Sequence, residues 1–198
     1  MLKKIRSARK KLHEYNNIAG IAEIGRRYFA MNSFDGILTI MGMLIGQYMA
    51  HINDPHIIIT TGFAASIAMG ISGTWGTYLT EEAERKKKLK ELGQHTLREL
   101  HTTKIARAEK VATLIVSLID GLSPFAAAFI VILPFFFVPS ILINTAFFIS
   151  FAIAFLLLIL LGGYLGHISQ ENIFINGGKM AFAGVVCVIF VLLLEAPV

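Results

Sequence analysis

Five stretches of this chain are each long and apolar enough to cross a membrane, and that property removes most folds from consideration. They cover about residues 29–50, 57–80, 111–138, 141–166 and 177–196. A helix crossing a hydrocarbon core about 30 Å thick needs roughly 20 mostly apolar residues. In lipid the backbone must also satisfy its own polar groups, which a helix does within one segment. The composition agrees: 55% of the residues are hydrophobic, with a mean hydropathy of +0.66, above the range of soluble domains. Apolar and polar residues do not alternate with a period of two, which argues against a closed barrel. The expected fold is therefore an all-α integral membrane protein of five transmembrane helices.

The charges orient it. Of the 18 Lys and Arg, eight lie in 3–27, nine in 85–110, and Lys179 opens the last span. The connections "HINDPH" (51–56) and "FVPS" (137–140) carry none. The positive-inside rule then predicts a cytoplasmic N-terminus and an extracytoplasmic C-terminus. The sequence pI of 9.4 is accounted for by topology, so no nucleic-acid partner is expected. One cysteine, Cys187, excludes an internal disulfide and CxxC chemistry. The basic first 30 residues lack an apolar h-region, so no cleaved leader is expected.

Residues 1–28 read as a cytoplasmic amphipathic helix, with Ile18, Ile21, Ile24 and Tyr28 at helical spacing. A transmembrane hairpin (29–80) follows, then a helical cytoplasmic insert (81–110) interrupted near Gly93. A second hairpin (111–166) precedes a loop and the fifth span (167–198). "SFDGIL" (33–38) and "LIDGLS" (118–123), with two weaker pairs at nearly the same offset, allow spans 3–4 to be a parallel repeat of spans 1–2. Chance matches between apolar segments are the alternative.

Two acids stand well inside the spans. Asp35 lies eight residues beyond Arg27, and Asp120 lies ten beyond Lys110. At 1.5 Å per residue, each is roughly 12–15 Å inward from its basic boundary. An ionised Asp at a helix centre costs about 2.5–3.5 kcal/mol, and such groups mark ion or proton paths. The plainer alternative is a buried Asp hydrogen-bonded to a neighbour such as Asn32. Asp35, Thr39, Met43 and Gln47 form one stripe at i+4 spacing, with Asn32 about one turn earlier. A carboxylate, a hydroxyl, a thioether and an amide suit a divalent transition metal better than Mg²⁺, although Met43 also serves as ordinary packing. In the second span Ala64, Ala68, Ser72, Gly76 and Thr80 form a ladder of small residues, beside Gly62, Ser66 and Gly70. Gly42 and Gly46 make a GxxxG in the first span. Such faces pack helices closely, within one chain or across a dimer axis. In the insert, Glu84, Glu91, His95 and Glu99 fall within roughly an 80° arc of a continuous helix. They are candidates for capturing a cation, or a solvated face with Glu–Lys pairs.

"RYFAMNSFDGILTIMGMLIG" (27–46) and "GFAASIAMGISGTWGTYLTEEAE" (62–84) together resemble the vacuolar iron transporter family. That family has a DG-containing first span and a second span of the form AGxxSMxxGEYxS. "AMGISGTWGTYLT" (68–80) follows that frame at Ser72, Gly76, Tyr78 and Thr80. The family methionine falls at Gly73 and the family glutamate at Thr77. The resemblance implies a five-helix homodimer that moves Fe²⁺, often Mn²⁺, out of the cytoplasm in exchange for protons. It implies a metal and proton role for Asp35; from the placement of the residues, Asp120 is expected as a second acid on the path and Asn32, Thr39 and Met43 as further ligands. It also implies cytoplasmic capture residues at Glu81, Glu84 and Glu91. No tightly bound cofactor is expected, the divalent cation being cargo; the partners are membrane lipid, metal ions, protons and a second copy. The setting implied is a prokaryotic cell membrane. The competing expectation is a non-transporting scaffold that recruits a partner or anionic lipid through its basic loop. An enzyme is not expected, because no span pairs a nucleophile with a base.

Overall fold

A computed structural model describes residues 2–96, 100, 103–138 and 140–194. It is helical throughout, with no strand among the described residues. The elements are α1 (Leu2–Ala19), α2 (Ile21–Met49), α3 (Pro55–Thr96), α4 (Lys104–Ile132), a 3₁₀ turn (Leu133–Phe137), α5 (Ile143–Ser169) and α6 (Ile173–Leu194). Among the described residues five helices, α2 to α6, are long and apolar enough to span a membrane, the 3₁₀ turn extending α4.

Local chemistry sets several of these boundaries. α1 stops at Gly20, whose φ of 64° lies in the left-handed region that glycine enters without penalty. Asn16 then accepts from the Ala22 N–H at 2.7 Å and starts α2. Pro55 begins α3, where its missing N–H costs nothing, and Asp54 accepts from the His56 N–H at 2.8 Å. α3 then runs unbroken through Gly93 to Thr96. The interruption expected at Gly93 is therefore absent; a single interior glycine costs only about 1 kcal/mol relative to alanine. Pro139, in the connection 137–140, lies outside the described residues.

The chain divides into two compact units. The first contains α1, α2 as far as Phe29, α3 from Ile71 and α4 as far as Leu122. Its apolar core is small: Ala19, Ile21, Ala108, Ala112 and Val116, flanked by Tyr15, Ile24, Tyr28 and Ile115. Ala108, Ala112 and Val116 recur every fourth residue and make one face of α4. Glu14 and Lys104 pair at 3.0 Å and tie α1 to α4 at the surface.

The second unit holds Ala30–Gly70 and the chain from Ser123 onward. On α2 the fully buried Ile37, Ile40, Met41 and Leu44 follow the 3.6-residue period. They pack with Ala128, Val131, Ile132 and Phe135, and with Phe147, Ala154 and Leu158 of α5. Phe135 meets Phe147 edge-on at 4.9 Å between ring centroids. At Gly36 a Cβ would stand 2.7 Å from the Pro124 Cα and carbonyl oxygen, so α2 and α4 touch backbone to backbone there. Gly162 does the same for α5 against Gly177 of α6, where a Cβ would come within 2.8 Å of the Gly177 Cα.

Candidate functional site

The first unit places its polar residues on one side of α3. Gly73, Thr77, Glu81 and Arg85 succeed one another at i+4 spacing and so share a face. The facing helix α4 supplies Asp120, which is only 3% exposed. The Thr77 hydroxyl donates to Asp120 Oδ2 at 2.6 Å. One turn away, a Cβ on Gly73 would lie 3.0 Å from the same oxygen and 3.4 Å from the Gly121 Cα. The carboxylate therefore occupies the space that a side chain at 73 would need. The two positions where the sequence departs from the family pattern converge on one acid. In place of a methionine and a glutamate on α3, the chain has a gap, a hydroxyl and an aspartate on α4.

Asp120 has a further local feature. Pro124 stands four residues later within α4, and a proline cannot donate the usual helical hydrogen bond to the carbonyl of residue 120.

Further along α3 lies an ion-pair network. Glu81 Oε2 accepts from Arg85 Nε at 2.8 Å, and its Oε1 accepts from the Tyr28 hydroxyl at 3.2 Å. The other side of the guanidinium reaches Glu109 of α4 and, at 3.5 Å, the Ala19 carbonyl. Arg85 is 7% exposed and Glu109 3%. Lys88 approaches Glu109 from outside at 3.8 Å. Two carboxylates from different helices thus share one buried arginine. Glu81, expected as a cation-capture residue, is engaged by this pair.

The rest of that set faces solvent. Glu84, Glu91 and His95 are exposed on α3, and Glu99 lies outside the described residues. Glu82 pairs with Lys86 at 2.9 Å, one turn apart. Among the described residues, no three His, Cys, Asp or Glu gather closely enough to hold a metal ion.

In the second unit Asp35 lies on the outer side of α2. Asp35 and Thr39 are exposed, while Asn32, Met43 and Gln47 are half-buried. Met43 reaches α3 at Gly62, where a Cβ would lie 3.2 Å from its Cε. Gln47 donates through Nε2 to the Thr61 hydroxyl at 2.7 Å, while its Oε1 is buried with no partner. The expected stripe is thus a helix face whose far end docks on α3 and whose acid end is open. Of the packing glycines, Gly42 approaches Cys187, 3.8 Å from a Cβ, whereas Gly46 and Gly76 have nothing within 4 Å. Ala64, Ala68, Ser72, Gly76 and Thr80 are all exposed, and Gly70 is half-buried. The small-residue ladder is an outward surface of α3.

Sequence reasoning missed Arg85, Glu109 and Tyr28. Arg85 is the first of the run "RKKK" and looks like one more topology charge. The available signal was its i+4 register with Glu81, Thr77 and Gly73. A second was Pro124 four residues beyond Asp120.

Comparison with known proteins agrees with the resemblance read from the motifs. The sequence pattern of the VIT family matches residues 27–117, which include Asp35, the second-span frame and the Glu81–Arg85–Glu109 network. An uncharacterized protein of Methanocaldococcus jannaschii is 31% identical over 183 residues, covering 91% of this chain and 92% of its own length. With its five apolar helices, the molecule is an integral membrane protein, and the chain belongs to the VIT family.

Proposed function

We propose that this protein transports divalent transition-metal cations of the Fe²⁺ and Mn²⁺ type out of the cytoplasm in exchange for protons, as a homodimer. The observation that carries this reading is Asp120, a carboxylate 3% exposed on a membrane-spanning helix, whose Oδ2 accepts from the Thr77 hydroxyl at 2.6 Å. A buried carboxylate is costly when ionised alone. Binding a cation or a proton removes that cost, so the group alternates naturally between the two. Asp35 is a further cation-binding acid, with Asn32, Thr39 and Met43 of its own helix as neutral donors beside it.

Exposure supports the dimer. Asp35 and Thr39 are exposed on the single chain, as is the ladder from Ala64 to Thr80. A charged side chain at bilayer depth faces a partner or water rather than lipid, and a small-residue face lets a second helix approach closely.

The test is metal flux in proteoliposomes under a pH gradient, with Fe²⁺, Mn²⁺ and Co²⁺ as cargo. Asp120→Asn and Asp35→Asn should each lower flux at least tenfold. Wild-type flux in Asp35→Asn would remove its assigned role. A wild-type protein that carries none of the three would refute transport and favour a scaffold.

A further inference from the structure

The polar stripe on α2 continues past Met43 to Gln47, one helical turn later, so the two side chains are neighbours. Within the second unit they meet consecutive residues of α3. A Cβ on Gly62 would lie 3.2 Å from Met43 Cε, and Gln47 Nε2 donates to the Thr61 hydroxyl at 2.7 Å. Thr61 decides which way the amide turns. Its hydroxyl has one proton, which goes back to its own helix, to the Ile57 carbonyl at 2.7 Å or the Ile58 carbonyl at 3.2 Å. Toward Gln47 it can then only accept, so it takes the NH₂ group and turns the amide oxygen away. That oxygen, Oε1, is buried with no hydrogen-bond partner among the described residues. Buried side-chain acceptors nearly always have a partner, so this one is set up for a ligand that approaches an oxygen. The helix itself favours a positive one. Gln47 lies in the last turn of α2, which ends at Met49 with no basic residue, and a helix C-terminus carries partial negative charge.

We propose that the Gln47 amide oxygen, with the Met43 thioether, forms a second subsite for the transported cation at the C-terminal end of α2, and that Thr61 is the positioning residue that aims the oxygen. The proposal rests on the reading of this protein as a divalent-cation transporter. Gln47 stands twelve residues beyond Asp35, about 18 Å of helix rise, so the two ends of the stripe bind at different depths. They also bind differently. A carboxylate holds a divalent cation by charge, whereas an amide oxygen and a thioether offer only dipoles and polarisable lone pairs. The neutral end therefore holds the cation weakly, as a subsite for departure requires. It also selects. Mg²⁺ and Ca²⁺ take sites made of oxygens, whereas a thioether beside an oxygen suits transition metals.

The experiment uses the full chain, with Mn²⁺ and Co²⁺ flux measured in proteoliposomes and equilibrium binding of each ion measured in detergent. Gln47→Met exchanges the amide oxygen for a second thioether. It should lower Mn²⁺ flux at least tenfold and Co²⁺ flux less than threefold, because Mn²⁺ is the ion more dependent on oxygen. Gln47→Leu, which removes the donor, should lower both fluxes at least tenfold. Thr61→Val frees the amide to turn and should lower both about threefold or more, while Thr61→Ser, which keeps the hydroxyl, should recover most of that loss. A Gln47→Leu protein with wild-type flux for both ions overturns the subsite and leaves transport standing. Equal losses for Mn²⁺ and Co²⁺ in Gln47→Met also overturn it, because the role of Gln47 is then one of packing. A wild-type protein that binds and moves neither ion overturns the transport reading, and the subsite with it.

Discussion

Removing the Arg85 guanidinium tests whether it holds the first unit together. In Arg85→Met the Glu109 side chain, 4% exposed, loses its direct partner. Lys88 remains 3.8 Å away, but its own side chain is 72% exposed, so water screens most of its attraction. Glu81 is better placed, since it keeps the Tyr28 hydroxyl and more contact with water. The cost is therefore mainly that of one uncompensated buried carboxylate. Breaking a buried ion pair from one side costs about 3–5 kcal/mol. At about 1.4 kcal/mol per decade, this is roughly a hundredfold to a few thousandfold in the folding equilibrium.

Replacing both partners by apolar residues of similar size removes the stranded charge, and such replacements are often neutral. Arg85→Met/Glu109→Leu should thus recover most of the loss. The assay is reversible unfolding in mixed micelles of rising SDS fraction, followed by helicity in the far ultraviolet. Two results would refute the reasoning: an Arg85→Met protein within about 1 kcal/mol of wild type, or a double variant no more stable than the single.

Two further outcomes follow from contacts in the structure. Gly36→Ala forces a methyl against the Pro124 backbone and should cost about 1–3 kcal/mol in the same assay, whereas Gly46→Ala, which has open space, should stay within about 0.5 kcal/mol. Thr77→Val removes the donor to Asp120 and leaves a buried carboxylate oxygen without its hydroxyl, so it should destabilise by about 1–3 kcal/mol. Thr77→Ser, which keeps the hydroxyl, should recover most of that loss.

The motif reading reached the right family from short stretches, because glycines and an aspartate inside an apolar run are rarely tolerated without a packing or charge reason. The sequence marks Asp120 as a second acid inside the spans, with no view of what surrounds it. The answer depends on facing helices: Gly73 leaves room on α3, Thr77 supplies the hydroxyl, and α4 brings in the carboxylate. A periodic pattern on one helix says which residues share a face, and nothing about what the neighbouring helix presents to it.

Sequence alone determined the spans, the all-helical class and the division of charge, because hydropathy over about 20 residues and local backbone chemistry are properties of a continuous segment. It also determined the membership of each helix face, through the 3.6-residue period. Tertiary structure decided which charges are solvated and which are buried. Arg85 and Lys86 are adjacent in the chain. Lys86 meets water and a half-buried Glu82, while Arg85, one helical step of about 100° away, is closed between Glu81 and Glu109. That difference arises from the packing of α3 against α4, and no window of the sequence contains both sides of that contact.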